Sequence, residues 1–182
     1  RETEPPVKEP PALMTCPSSV TIFVRLPVAP GIEIGGKIFP GPAAAPVIVY
    51  FHGNGEIASD YDDIAPVYNA IGLTLFVLDY RGYGISDGQP SASALTNDAV
   101  ACFRQVKDVL AAQGVSAGPL FVMGRSLGSA AALEVAVAFP DALKGLIIES
   151  GFAYTYPLIQ RIGFLPIHDG FESRDGFGNI DK

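Results

Sequence analysis

Four stretches of the chain are almost uninterruptedly apolar, and each runs into glycine or polar residues: APVIVYFHG at 45–53, LTLFVLDY at 73–80, PLFVMG at 119–124 and LKGLIIES at 143–150. Runs of this kind predict strands buried on both faces, as in a parallel sheet covered by helices. Between them the period changes. SALTNDAVACFRQVKDVLAAQG at 93–114 places Leu95, Ala99, Phe103, Val106 and Leu110 on one helical stripe that ends at Gly114. SDYDDIAPVYNAIG at 59–72 predicts one helix capped by Ser59, with Asp60, Asp62 and Asp63 in the dipole-favoured first turn and Gly72 as its stop. The alanine-rich segment 127–139 predicts a third helix.

Ahead of the first apolar run, SVTIFVRLP at 19–27 and GIEIGGKIFPG at 31–41 read as two strands joined by a proline and glycine turn. Strands that alternate with helices imply right-handed crossovers, hence an α/β fold: a three-layer α/β/α sandwich around a mostly parallel sheet. The opening RETEPPVKEPPALMT is rich in proline and charge and predicts a Pro-rich arm over 1–17, leaving 18–182 as the folded domain. After Ser150 the chain turns aromatic and glycine-rich without a clear strand, which predicts a lid-like segment over 151–178.

Composition narrows the function classes. With 182 residues, 48% of them hydrophobic and 17% charged, the chain has the make-up of one globular domain with a sizeable core. The net charge of −7, with 12 Lys and Arg that form no cluster, excludes nucleic acid and anionic membrane surfaces as expected partners. No uncharged run reaches the roughly 18 residues of a membrane span, and no signal-peptide pattern opens the sequence, so a cytoplasmic setting is expected. Cys16 and Cys102 lack metal-type spacing and predict two reduced thiols, Cys102 packed on an apolar helix face. Neither a metal nor an organic cofactor is expected.

The chemistry is concentrated in three motifs. In FVMGRSLGSAAALEVA, residues 121–136, a strand runs through Gly-x-Ser-x-Gly directly into a helix. Ser126 on so sharp a turn needs small neighbours at Gly124 and Gly128, and projects at the start of a helix whose free N–H groups favour developing negative charge. This makes Ser126 the candidate nucleophile. The second motif, FHGNG at 51–55, closes the first buried strand. An oxyanion requires two backbone N–H donors; those of Asn54 and Leu127 are the expected pair, with Gly55 as a helper, while His52 and Gly53 shape the turn. The third, DYRGYGISDG at 79–88, allows a tight turn beside the serine. Asp79 and Arg81 are expected to be scaffold; Tyr80, Arg125 and Phe152 are the substrate-side candidates.

HGNG, DYRGYG and GRSLGS, in this order and spacing, resemble the α/β-hydrolase superfamily over about residues 19–182, and most of all its abhydrolase-domain serine hydrolases, which border the serine aminopeptidase-like and acyl-thioesterase branches. The resemblance implies a small acyl or peptide-like substrate, Ser126 as nucleophile, the HGNG loop and Leu127 as oxyanion hole, and a lid after Ser150. It also implies the chain order serine, acid, histidine. The sequence reaches Lys182 where such proteins are about to enter the acid-bearing strand, so a sheet lacking its last strands is expected, with acid and base beyond Lys182. Within the chain, His168 and Glu149 are the candidate base and acid. The alternative to a serine hydrolase is a non-catalytic binding module, and a sheet ending at 143–150 would leave an edge open to self-association.

Overall fold

The computed structural model describes residues 20–152. The expected arm at 1–17, Cys16, and the lid-like segment from residue 153 onward, His168 included, lie outside the described residues.

The hairpin forms as read: β1 (Ile22–Ala29) pairs antiparallel with β2 (Ile32–Phe39). It is followed by β3 (Ala45–Phe51), α1 (Ala65–Ala70), β4 (Thr74–Leu78), α2 (Ala92–Ala112), β5 (Ala117–Arg125), α3 (Gly128–Ala138) and β6 (Leu143–Glu149). The six strands form one sheet in the order β1-β2-β4-β3-β5-β6, antiparallel from β1 to β4 and parallel from β4 to β6.

The unbroken apolar runs are explained by what lies on either face of the sheet. On β3, Val47, Val49 and Phe51 join the layer made by α2 and α3, whereas Ile48 and Tyr50 face the layer of Tyr61 and Ala65. On β4, Phe76 and Leu78 take the first face and Leu75 and Val77 the second. With side chains alternating across the pleat, both parities must be apolar when both faces are covered. The helical stripe of α2, Leu95, Ala99, Phe103, Val106 and Leu110, is buried against the first face, together with Cys102. α3 lies close on the sheet because Ala130, Ala131 and Ala132 leave no bulk beneath it. This is the expected three-layer α/β/α sandwich with a mostly parallel sheet.

Two elements differ from the sequence reading. The segment 59–72 is two pieces: a 3-10 turn over Ala58–Tyr61 entered from Ile57, and then α1 with Pro66 at its second position. Proline has no N–H to donate and its ring clashes with the carbonyl four residues earlier, so a helix begun at Ser59 cannot run through Pro66. Ser59 is therefore not its cap; Gly72 does end it, at φ +82°. The second difference is β6. It is an edge strand among the described residues, and Leu146, Ile147 and Ile148 are exposed on it, in contrast to the fully buried β4.

Burial raises the pKa of the Cys102 thiol, and the nearby Asp98 charge adds to the effect. Thiolate is the reactive form. Cys102 is therefore expected to resist alkylation by iodoacetamide in the native chain and to react fully in denaturant, as read by peptide mass spectrometry. Rapid native labelling would show that α2 is not docked as described.

Candidate functional site

In the sheet β3 and β5 are neighbours, and the chain leaves β3 for β4 on one side and β5 for β6 on the other, so the two connections run in opposite directions. At such a reversal the loops after the strand ends part and open a crevice. The loop after β3 is HGNG, and the turn after β5 is the one bearing Ser126. The last residue of β3, Phe51, stands in register with Gly124 of β5, which makes the two loops neighbours.

Ser126 has φ +50°, a conformation L-residues rarely adopt. Its backbone is fixed on both sides. The Ser126 N–H donates to the Glu149 carbonyl at 2.9 Å, and its own carbonyl accepts from the Ser129 N–H at 3.0 Å and the Ser129 hydroxyl at 2.6 Å. The flanking glycines are demanded by backbone. A Cβ on Gly124 would collide with the Gly128 carbonyl, and one on Gly128 with the Phe51 carbonyl. The strand, the turn, the start of α3 and the end of β3 thus touch main chain to main chain.

The HGNG loop is held through His52, Gly53 and the Asn54 side chain. Tyr80 donates its hydroxyl to the His52 carbonyl at 2.6 Å, and His52 Nδ1–H donates to the Gly53 carbonyl at 2.9 Å. The Gly53 N–H donates to Glu56 Oε2 at 2.9 Å, and the Tyr83 hydroxyl donates to Asn54 Oδ1 at 2.7 Å. His52 is fully buried between the Tyr80 and Tyr83 rings, with centroids 4.4 and 5.8 Å away. Its Nε2 lies 3.3 Å from Asp79 Oδ1 in a geometry that makes no hydrogen bond. His52 is thus enclosed by the scaffold, and among the described residues Ser126 has no histidine partner.

The remaining candidates divide as follows. Asp79 Oδ1 caps the 3-10 turn by accepting the Ala58 N–H at 2.7 Å, and the other carboxylate oxygen lies where a side chain on Gly84 would have to go. Arg81 grips Asp98 of α2 through two hydrogen bonds, at 2.6 and 2.8 Å, which raise the guanidinium pKa. Tyr80, a substrate-side candidate in the sequence, is buried with its hydroxyl committed to His52; burial pushes that phenol well above its ordinary range. Gly55, expected as an oxyanion helper, has φ +80°, and burial raises the phenol of the neighbouring Tyr83, an effect the Gly55 backbone partly offsets. Leu127 is buried and, with Tyr80, Tyr83 and Ser91, lines a cleft between the turn and the start of α2. Phe152 is half-buried and packs against the main core.

Arg125, the other substrate-side candidate, is bound between two carboxylates. Its Nη1 contacts Glu56 Oε1, and its Nε lies 3.4 Å from Glu149 Oε1 on the neighbouring strand. Glu149 thus reaches the serine turn, paired to arginine. Glu56 escaped the sequence reading; its one signal was an acidic side chain directly after HGNG, and its partner Arg125 lies 69 residues further along the sequence.

Comparison with known proteins places these features among relatives. The family model described as "Serine aminopeptidase, S33" matches residues 42–164. The lysophosphatidylserine lipase ABHD12 of Danio rerio is 33% identical over 140 residues, which cover 69% of this chain and 35% of that protein. Protein bem46 of Schizosaccharomyces pombe is 30% identical over 122 residues, 66% of this chain and 40% of that protein. The chain therefore spans well under half the length of these curated relatives. Among solved structures, a soluble variant of monoglyceride lipase from Saccharomyces cerevisiae superposes with a TM-score of 0.62 at 19% identity, covering 84% of this chain and 50% of the other. A hyperthermophilic esterase from Pyrobaculum calidifontis gives 0.61 at 23% identity, covering 75% and 45%. Among the described residues no helix is long and apolar enough to cross a membrane.

Proposed function

The chain belongs to the serine aminopeptidase S33 family of α/β hydrolases, and from that premise we propose that it is a serine hydrolase that cleaves a carboxylic ester, thioester or amide through an acyl-enzyme on Ser126. The observation that carries this reading is Ser126 itself: a non-glycine residue held at φ +50° by hydrogen bonds on both sides, at a strand-to-helix turn packed against the HGNG loop. Strain of about 1–3 kcal/mol persists only where the surroundings impose it, and such positions cluster at reacting groups.

In the proposed reaction, Ser126 Oγ attacks the substrate carbonyl carbon while a histidine takes the hydroxyl proton. The carbonyl electron pair moves to oxygen, and the oxyanion is received by the N–H groups of Asn54 and Leu127. Collapse expels the alcohol, thiol or amine, protonated by the same histidine, and leaves an acyl group on Ser126 for water to remove. Within the chain His168 and Glu149 are the candidates for base and acid; the native sequence after Lys182 is the other source. The ABHD12 relative makes a lysophospholipid-type acyl ester the first substrate to assay.

The test is covalent labelling by a fluorophosphonate probe, applied to this chain, to the chain within its native open reading frame, and to both with Ser126→Ala. Labelling that disappears with Ser126 in either form supports the reading. Labelling of the short chain assigns the base within it, with His168 the first residue to replace; labelling only of the longer form places base and acid past Lys182. No Ser126-dependent labelling in any form overturns the reading in favour of a non-catalytic binding module.

A further inference from the structure

Glu56 is joined to three separate parts of the site. Its Oε2 accepts the Gly53 N–H at 2.9 Å and the Tyr61 hydroxyl at 2.7 Å, while Oε1 meets the Arg125 guanidinium. Its own N–H also points at the Gly53 carbonyl, 3.4 Å away. Three-quarters of the side chain is buried. A carboxylate so placed is tolerated only because each oxygen has a donor. Arg125 immediately precedes Ser126, and its second partner, Glu149, belongs to the strand whose carbonyl fixes the Ser126 N–H.

The consequence lies in the peptide between Gly53 and Asn54. In a trans peptide the N–H points opposite to the C=O, so whatever holds the Gly53 carbonyl aims the Asn54 N–H. That carbonyl is held by His52 Nδ1–H and by the Glu56 N–H, and the residue's other end, the Gly53 N–H, is held by the Glu56 carboxylate. A Cβ on Gly53 would stand 3.1 Å from Glu56 Oε1, a contact tighter than the carboxylate could take without moving. Through Arg125 the same carboxylate also fixes the loop relative to the turn that carries Leu127.

We propose that Glu56 is a positioning residue for the oxyanion hole, clamping the Gly53–Asn54 peptide to Arg125 so that the Asn54 and Leu127 N–H groups keep one common target. The proposal rests on the serine-hydrolase reading given above. Glu56 touches neither substrate nor reacting atoms; it acts by holding one of the two donors in register with the other. An oxyanion donor contributes when charge develops on the carbonyl oxygen and little before, so its misalignment lowers kcat and leaves ground-state binding alone.

The experiment compares wild type, Glu56→Ala and Glu56→Gln in the longest native form that shows Ser126-dependent labelling. Glu56→Ala is expected to lower kcat about 10- to 100-fold with KM within about twofold. Affinity for a trifluoromethyl ketone, whose serine adduct bears an oxyanion, should weaken by the same factor as kcat/KM. Glu56→Gln keeps an acceptor for the Gly53 N–H and Tyr61 but turns an amide N–H toward the donor-only Arg125 guanidinium, so it breaks the link to Arg125 alone and should give a kcat between those of wild type and Glu56→Ala. Because the glutamine is nearly isosteric, it also serves if the alanine variant fails to fold. The proposal is overturned by wild-type kcat in Glu56→Ala, by a loss confined to KM, or by ketone affinity that does not follow kcat/KM. Absence of turnover in the wild type would overturn the hydrolase reading and this proposal together, whereas wild-type turnover unaffected by Glu56→Ala removes the proposal alone.

Discussion

Ser126→Ala is expected to lower hydrolytic kcat at least about 10⁴-fold, since loss of the nucleophile removes the covalent route and leaves only what binding and the oxyanion donors supply. Stability should respond differently. The residue is held at φ +50° by the Glu149 carbonyl on one side and by Ser129 on the other. Alanine inherits the same backbone cost, so the melting temperature of Ser126→Ala should stay close to wild type. Glycine is at ease in the left-handed region, so Ser126→Gly should be equally inactive yet more stable by about 1 kcal/mol. Calorimetry of the three proteins, paired with initial rates on an acyl ester, checks both halves. Two inactive variants of equal stability would mean that the turn is not strained. A Ser126→Ala enzyme with more than about a tenth of wild-type kcat would remove Ser126 from the reaction.

What could be read from the sequence follows from how local each feature is. The apolar parity of β3 and β4 is a short-range pattern, and it specified two-faced burial correctly for Val47 to Phe51 and for Leu75 to Leu78. The α2 stripe and its glycine stop were legible for the same reason; the helix is capped by Ser91, whose hydroxyl accepts the Ala94 N–H. The break at Pro66 was equally local and was outweighed by the acidic run before it, a case of dipole chemistry read ahead of steric prohibition. For β6 the open edge expected at 143–150 agrees with its place at the end of the sheet, but LKGLIIES has the composition of a strand covered on both faces, and burial depends on neighbours that a single run cannot specify.

At the site, the glycines announced the turns because a glycine demand is intrinsic to backbone geometry. The network around them was invisible. Glu56 and Arg125 are 69 residues apart, and Asn54 and Tyr83 are 29 apart. Only the crossovers that set β5 on one side of β3 and β4 on the other bring them together. Motifs thus marked which loops matter, while the side chains that aim them came from elsewhere in the chain.

Gly128→Ala supplies the sharpest test of the packing, because local propensity and tertiary contact predict opposite signs for it. Gly128 is the first residue of α3, and its φ is not in the left-handed region. On propensity alone, alanine in a helix is favoured over glycine by about 0.5–1 kcal/mol. In the folded chain the added Cβ would collide with the carbonyl of Phe51 and come within 2.8 Å of the His52 carbonyl oxygen. These are backbone atoms at the end of a central strand, with the His52 carbonyl already accepting from Tyr80, so no side chain can rotate aside to make room. Either α3 lifts from the sheet or the HGNG loop shifts. The first exposes Ala130, Ala131 and Ala132 and opens a gap in a close-packed layer; the second moves Asn54 away from the serine turn. We expect Gly128→Ala to destabilise the chain by about 3 kcal/mol, within the range of overpacked core sites, and to depress fluorophosphonate labelling of the protein that remains folded. Equilibrium denaturation at matched m-value reads the first quantity and the labelling rate the second. A Gly128→Ala protein as stable as wild type would mean that β3 and α3 stand further apart than described, and with them the two loops on which the proposed reaction depends.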